Sequence, residues 1–188
     1  MDLSSATLSN AFVRLEPLEA RHREPLRPLA ADPSLWVQTS LNASTHFDPW
    51  FDAMLAANAK GAQISFAVFD RRRDAYAGHS AYLSIAQDHD RVEIGWTWYG
   101  AAFHKSHVNP AAKRLLLAHA FAAGAVRDGV LRSHTRTWTG ARRDSVFYSI
   151  LADEWPGVRD RLDARLLALC GFDIAEDDPA APEVTALL

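Results

Sequence analysis

The sequence predicts an α+β fold, a mostly antiparallel sheet with helices laid against it. Three observations carry this. Ile64–Asp70, Tyr76–Ile85 and Val92–Tyr99 are strand-like runs joined by short polar turns, the pattern of an antiparallel meander. The third run leads through a polar loop, His104–Asn109, into an amphipathic segment in which Leu115, Leu116, Ala118, Ala120 and Phe121 interleave with Lys113, Arg114 and His119. Finally, Leu131–Thr137 and Ser145–Leu151 form a second hairpin ahead of an amphipathic C-terminal helix over Val158–Leu169.

In order along the chain, Phe12–Leu18 alternates apolar and polar residues and reads as a strand ended by Pro17. Ala20–Ala30 reads as a short helix, although Pro25 and Pro28 lie inside it. Asp32–His46 reads as a loop. A helix over Asp48–Ala59 follows, with Asp48 as cap and Gly61 just past its end. Arg71–Asp74 and Gln87–Arg91 are polar turns, and Gly78 marks a bulge in the strand between them. Trp138–Asp144 is the turn of the second hairpin, and Trp155-Pro156 closes its last strand. Residues 1–170 form one domain, and the acidic, Ala/Pro-rich residues 171–188 are a tail.

The stretch Val92–Phe121 points to chemistry. Asn109 is a good N-cap and Pro110 suits the first helical position, so the loop runs straight into a helix N-terminus. Free amides and the helix dipole make such a junction an anion site, strengthened here by Lys105 and by Lys113 one turn in. The alternative is a crossover that packs and binds nothing.

The 188 residues are 48% hydrophobic and 23% charged, with a net charge of −3. No basic excess points to nucleic acid. The single cysteine, Cys170, excludes an internal disulfide framework and a multi-cysteine metal site, and fits a cytoplasmic protein. Met1–Ala11 lacks the pattern of a secretory signal, and no apolar run approaches a membrane span.

Four pieces, taken together and in order, resemble the GNAT acyl-CoA N-acetyltransferases. They are F-V-R-L-E-P-L from Phe12, V-E-I-G-W-T-W from Val92, H-K-S-H-V-N-P-A-A-K-R-L-L-L-A-H-A-F from His104, and G-V-L-R-S-H-T-R-T-W-T-G-A-R-R-D-S-V-F-Y-S-I-L-A-D-E-W-P from Gly129. The branch they resemble contains the ribosomal-protein alanine and serine N-terminal acetyltransferases. The resemblance implies a mixed, mostly antiparallel sheet flanked by helices. It implies acetyl-CoA as cosubstrate and an amine acceptor, either a protein N-terminus or a small amine. It also implies that the pantetheine arm pairs along Trp96, Thr97 and Trp98, and that the pyrophosphate meets the amides of His104, Lys105, Ser106, His107, Val108 and Asn109. Where the family has glycine in this loop, the chain has His107.

The chain also departs from the family by a gap. After about Ala123 a strand and a helix, some 25–30 residues, are missing, so the fold is shortened by one of each. The lost strand is the far wall of the arm's cleft, and the lost helix commonly carries the proton donor to the leaving thiolate. Three outcomes follow: the last hairpin slides in to close the sheet, a second copy completes it as a homodimer, or the cofactor site is weakened. The last would leave a non-catalytic module that binds acyl-CoA or a protein.

For the chemistry, Glu93 matches the position of a base that removes the amine proton; the alternative is a carboxylate paired to an arginine. Backbone amides of the splayed strand would polarise the carbonyl. His104 and His107 lack a third metal ligand, so no metal is expected. Tyr148 and His134 could face an acceptor channel or be ordinary sheet residues, and Trp36 and Trp50 could line an acceptor pocket or be core.

Overall fold

A computed structural model describes residues 3–89, 91–122, 130–146, 150–151 and 153–170. Its main sheet has the order β1 (Leu8–Ser9), β2 (Val13–Pro17), β3 (Ile64–Asp70), β4 (Ala75–Ala86) and β5 (Arg91–Tyr99). Every pair in it is antiparallel. β3 has the bounds its sequence predicts. Side-chain alternation along it sends Phe66 and Val68 to one face and Ala67 to the other.

The two faces carry different cores. One packs Val13, Leu15, Phe66, Val68 and Tyr82 against helix α3 (Val108–Ala122), with Leu166 of α4 (Trp155–Cys170) beside them. The other packs Ala67 and Trp98 against α1 (Arg23–Leu26) and α2 (Phe47–Ala59), through Leu26, Trp36, Trp50 and Phe51. Each fully buried large side chain contributes about 2 kcal/mol by removal from water. Trp36 and Trp50 are 0% and 1% exposed. They are core, not lining: Trp36 donates its indole N–H to Ala30 O and packs at a tilt against Trp50 and Trp98.

Several element bounds differ from expectation, each for a local reason. Ala20–Ala30 is one turn of α1 between two 3-10 turns, Ala20–His22 and Pro28–Ala30. Pro28 has no N–H to continue a helix. Asp32–His46 contains a 3-10 turn at Pro33–Trp36, capped by Asp32. α2 starts at Phe47 with His46 as N-cap, because Asp48 is drawn to Arg23 and Arg27 at 2.9 and 2.8 Å. α3 starts at Val108, one residue before the expected cap, with the first helical bond from Ala111 N to His107 O. α4 starts at Trp155, and Pro156, expected to close a strand, fits its first turn, where no amide hydrogen is needed.

The last hairpin comprises β6 (Val130–Arg136) and β7 (Arg142–Val146). Its turn closes earlier than expected because Gly140 takes φ +85° and Thr137 N bonds Ala141 O at 2.8 Å. Arg142 and Arg143 therefore belong to the strand. The hairpin forms a two-stranded sheet of its own and, among the described residues, does not slide in beside β5. Its tip instead reaches the first loop: Trp138 donates its backbone N–H to Thr39 O and its indole N–H to Trp36 O. Only residues 123–129 separate α3 from β6, too few for a strand and a helix. Tyr148 and the tail 171–188 lie outside the described residues.

Candidate active site

The site is built on a defect in β5. Ala81 pairs with Gly95 and His79 with Trp98, so Ser80 faces two residues, Trp96 and Thr97. Trp96 sits at φ +48°, a left-handed conformation that costs a non-glycine residue about 1–2 kcal/mol. Such strain persists only where the surroundings enforce it. Here His79 does so from the α2 face, donating from Nδ1 to Trp96 O at 2.8 Å. Burial pushes the His79 imidazole down to about 4, so it is neutral and Nδ1 carries the proton. On the α3 face Thr97 Oγ1 bonds Ser80 Oγ at 2.8 Å and accepts from Lys113 Nζ at 3.0 Å. Gly78 lets the strands close beside the bulge: a Cβ there would lie 2.1 Å from Trp98 O. It also adjoins the register shift by which Ala77 bulges from the β3–β4 ladder, as its sequence predicts.

Beyond β5 the chain turns through Ala101–Phe103 into the loop that precedes α3. The loop is held from the inside. His104 Nε2 donates to Tyr99 O at 2.8 Å, and Ser106 Oγ donates to Phe103 O at 2.6 Å. The His107 ring bonds Asp70 Oδ1 at 3.0 Å, and Asp70, wholly buried, also accepts from the Arg72 and Arg73 amides. Histidine at the position of a family glycine is thus used as a brace, tying the loop to the β3–β4 turn. Lys105 stands exposed at φ +55°. Among the described residues the amides of Lys105, Ser106 and His107 have no partner within the chain. Three unpaired donors, a lysine and a helix N-terminus fit a diphosphate.

The remaining expected residues fall around the bulge. Thr97 lies within it and Trp98 is buried beside it. Val108 is buried in the core, so it can contribute no more than its backbone, and Asn109 is exposed in the first turn of α3. Lys113 does not point to the loop. Its ammonium turns to Thr97. Glu93 is half-buried on β5 and accepts from Ser84 Oγ at 3.3 Å. His104 and His107 point to different partners, and among the described residues no three His, Cys, Asp or Glu side chains come together to hold a metal. On the α2 side a cleft of about 330 Å³ is lined by Arg27, Ser44, Thr45, His46 and Asp48 among others.

Residues 13–153 match the model of the acetyltransferase (GNAT) domain. The chain belongs to the GNAT acetyltransferase family. The architecture agrees. A putative acetyltransferase from T. thermophilus is 28% identical over 88% of this chain and 100% of its own, with a TM-score of 0.75. A GCN5-related N-acetyltransferase from Brucella melitensis is 22% identical over 87% and 86%, with a TM-score of 0.78. Mycobacterium smegmatis RimJ in complex with CoA-disulfide is 16% identical over 89% and 95%, with a TM-score of 0.66. No curated protein sequence matches the chain. GNAT enzymes transfer acetyl groups from acetyl-CoA, and the donors described above suit that cosubstrate. No helix among the described residues is long and apolar enough to cross a membrane.

Three residues at this candidate site have no forecast in the sequence: His79, Ser80 and Asp70. The available signal was a polar pair inside an otherwise apolar and small-residue strand, G-H-S-A at Gly78–Ala81, and an acidic residue at the end of an apolar one. A buried polar side chain needs a partner. The pattern could announce the need but not the partner.

Proposed function

We propose that the chain transfers acetyl from acetyl-CoA to a primary amine, a protein N-terminus or a small amine, as a cytoplasmic enzyme. The observation that carries the reading is the pairing of a strained, pinned bulge at Trp96–Thr97 with unpaired loop amides one strand-end away. The amides of Lys105 to His107, with Lys105, His104 and the first turn through Asn109, hold the pyrophosphate. The free edge of Trp96, Thr97 and Trp98 pairs with the pantetheine arm. The amides at the bulge polarise the thioester carbonyl. Glu93, on the α2 face, takes the proton of the attacking amine directly or through water. The acceptor enters from that face, where the 330 Å³ cleft offers Arg27 and Asp48. RimJ, a structural neighbour that carries CoA-disulfide, supports the cosubstrate assignment.

Calorimetric titration with acetyl-CoA, followed by turnover with a panel of amines and peptides, tests the reading. Micromolar binding, weakened at least tenfold by Lys105→Ala, is expected. No binding at millimolar ligand overturns it.

A second reading rests on one observation. β5 ends the described sheet, with the last hairpin in a sheet of its own. An unpaired strand edge recruits another chain, which favours either a homodimer that completes the cleft or a binding module without catalysis. Sedimentation with and without acetyl-CoA distinguishes these: a dimer supports shared cleft walls, while a monomer that binds but never turns over supports the module.

A further inference from the structure

The chain lacks the segment that commonly supplies a proton to the leaving thiolate, yet it keeps an ionisable group at the bulge. Lys113 lies on the second turn of α3, half-buried, with its ammonium turned inward to a single hydroxyl, Thr97 Oγ1, at 3.0 Å. That hydroxyl in turn bonds Ser80 Oγ at 2.8 Å, so three elements, α3, β5 and β4, meet in one chain of hydrogen bonds. Among the described residues nothing negative is bonded to the ammonium. The titratable groups on the elements around it are engaged elsewhere: Tyr82 of β4 donates to Leu116 O and contacts His119 of α3, and Glu93 of β5 is bonded to Ser84. Arg114, the next residue of α3, points away to Asp163 of α4 at 3.0 Å. A salt bridge for structure would have a carboxylate here. A half-buried lysine on a neutral hydroxyl is a poor brace, because the lost hydration of the charge is only partly compensated.

We infer that Lys113, acting through Thr97, is the proton source for the thiolate that leaves when acetyl is transferred. The inference rests on the acetyl-transfer reading above. The amine nitrogen forms a bond to the thioester carbonyl carbon and the carbon–sulfur bond breaks. The sulfur takes the Thr97 hydroxyl proton while Thr97 Oγ1 takes one from Lys113 Nζ. The amine's own proton goes to Glu93, and solvent then returns Lys113 and Glu93 to their starting states. Acid and base lie on opposite faces of β5: Glu93 is on the α2 side, Lys113 and Thr97 on the α3 side. The nucleophile therefore enters from one face as the leaving group is protonated from the other. Burial supports the role by bringing the Lys113 ammonium down to about 8, near the range where a group can both hold and give a proton.

The test is the pH dependence of kcat at saturating amine, with acetyl-CoA as donor, for the wild-type chain and for Lys113→Met, Lys113→Arg and Thr97→Val. Wild type should lose rate above about pH 8 as Lys113 deprotonates. All three variants should lose about 100-fold in kcat, keep the KM for acetyl-CoA within threefold, and lose that basic limb. Lys113→Arg keeps the charge but cannot release its proton, so it separates proton supply from charge. A merely structural lysine would move KM and leave the limb in place. Turnover with the limb unchanged in the variants overturns this inference alone. Failure of the wild-type chain to bind acetyl-CoA by calorimetry, or binding without transfer to any amine, overturns the acetyl-transfer reading and this inference together.

Discussion

Among the polar clusters buried in this sheet, those at Glu16 and at Lys113 are satisfied to very different degrees. At β2, the Glu16 carboxylate is bonded by Arg14 at 2.5 Å, His22 at 3.0 Å, Arg21 at 3.1 Å and Tyr76 at 3.2 Å. The other nitrogen of His22 accepts the Glu19 amide, so that ring is satisfied at both ends. At β5, Lys113 has one neutral partner, and His79 Nε2 has none among the described residues. Charge at the first cluster is compensated several times over, while at the second it is barely compensated. Fold architecture tends to be built the first way and sites of chemistry the second, because unsatisfied groups are costly unless they are used.

The contrast can be broken from either side. The largest effect is expected for Glu16→Ala, which leaves His22 and Tyr76 without their shared acceptor. It should cost about 3 kcal/mol in urea unfolding with acetyl-CoA affinity unchanged, since none of the bonds to Glu16 involves the loop. A loss below 1 kcal/mol would show that this cluster is no brace.

Acid sharpens the same point. Burial pushes the Glu16 carboxyl up, but hydrogen bonds from His22, Arg14 and Tyr76 and the Arg14 charge outweigh it and hold the group below its usual value. Its stabilisation is therefore full above the unfolded carboxyl range and lost as pH falls through the lower, folded value. Wild type should lose stability as pH drops below about 4.3, and Glu16→Gln should lose less over the same window.

Lys113→Met should run the other way, raising stability by about 1 kcal/mol at pH 7 by removing a poorly compensated cation. The wild-type curve should itself rise between the folded value of about 8 and the unfolded 10.5, where only the unfolded chain holds the proton, and the variant should be flat there. The smallest change is expected for Thr97→Val. It removes a hydroxyl bonded to Ser80, Lys113 and Gly95 O at constant shape and should cost about 1 kcal/mol. A larger loss would make Thr97 a structural pin first and a relay second.

Much of this fold was legible in the sequence because its signals are local. β3 and the body of β5 follow from β-branched and aromatic runs, and the start of α3 was displaced by two residues, from Pro110 to Val108. Boundaries failed where a distant partner outbid a local preference. Asp48 looked like a helix cap until Arg23 and Arg27 took it. The candidate site was half legible. The loop and helix N-terminus could be read, but the Lys113–Thr97 contact depends on a one-residue register shift in β5 and on which way α3 is rotated. A lysine on an amphipathic helix reads as solvent-facing until its neighbours are known. His107 shows the same limit: its partner, Asp70, lies 37 residues away.

The bond from the Trp138 indole to Trp36 O joins points 102 residues apart. The β3–β4–β5 meander needs only near neighbours in sequence, so it can form early, whereas closing so large a span is slow. The loop at Trp36–Thr39 then takes its final shape only when the last hairpin arrives. Pulsed hydrogen exchange during refolding should find the Trp138 indole protected well after the β3 and β4 amides, and simultaneous protection would show that one nucleus spans both. If the order holds, the loop at Trp36–Thr39 is set after the sheet it packs on. A nascent chain would then hold its central meander while one end of the first loop still waited for a partner about a hundred residues downstream.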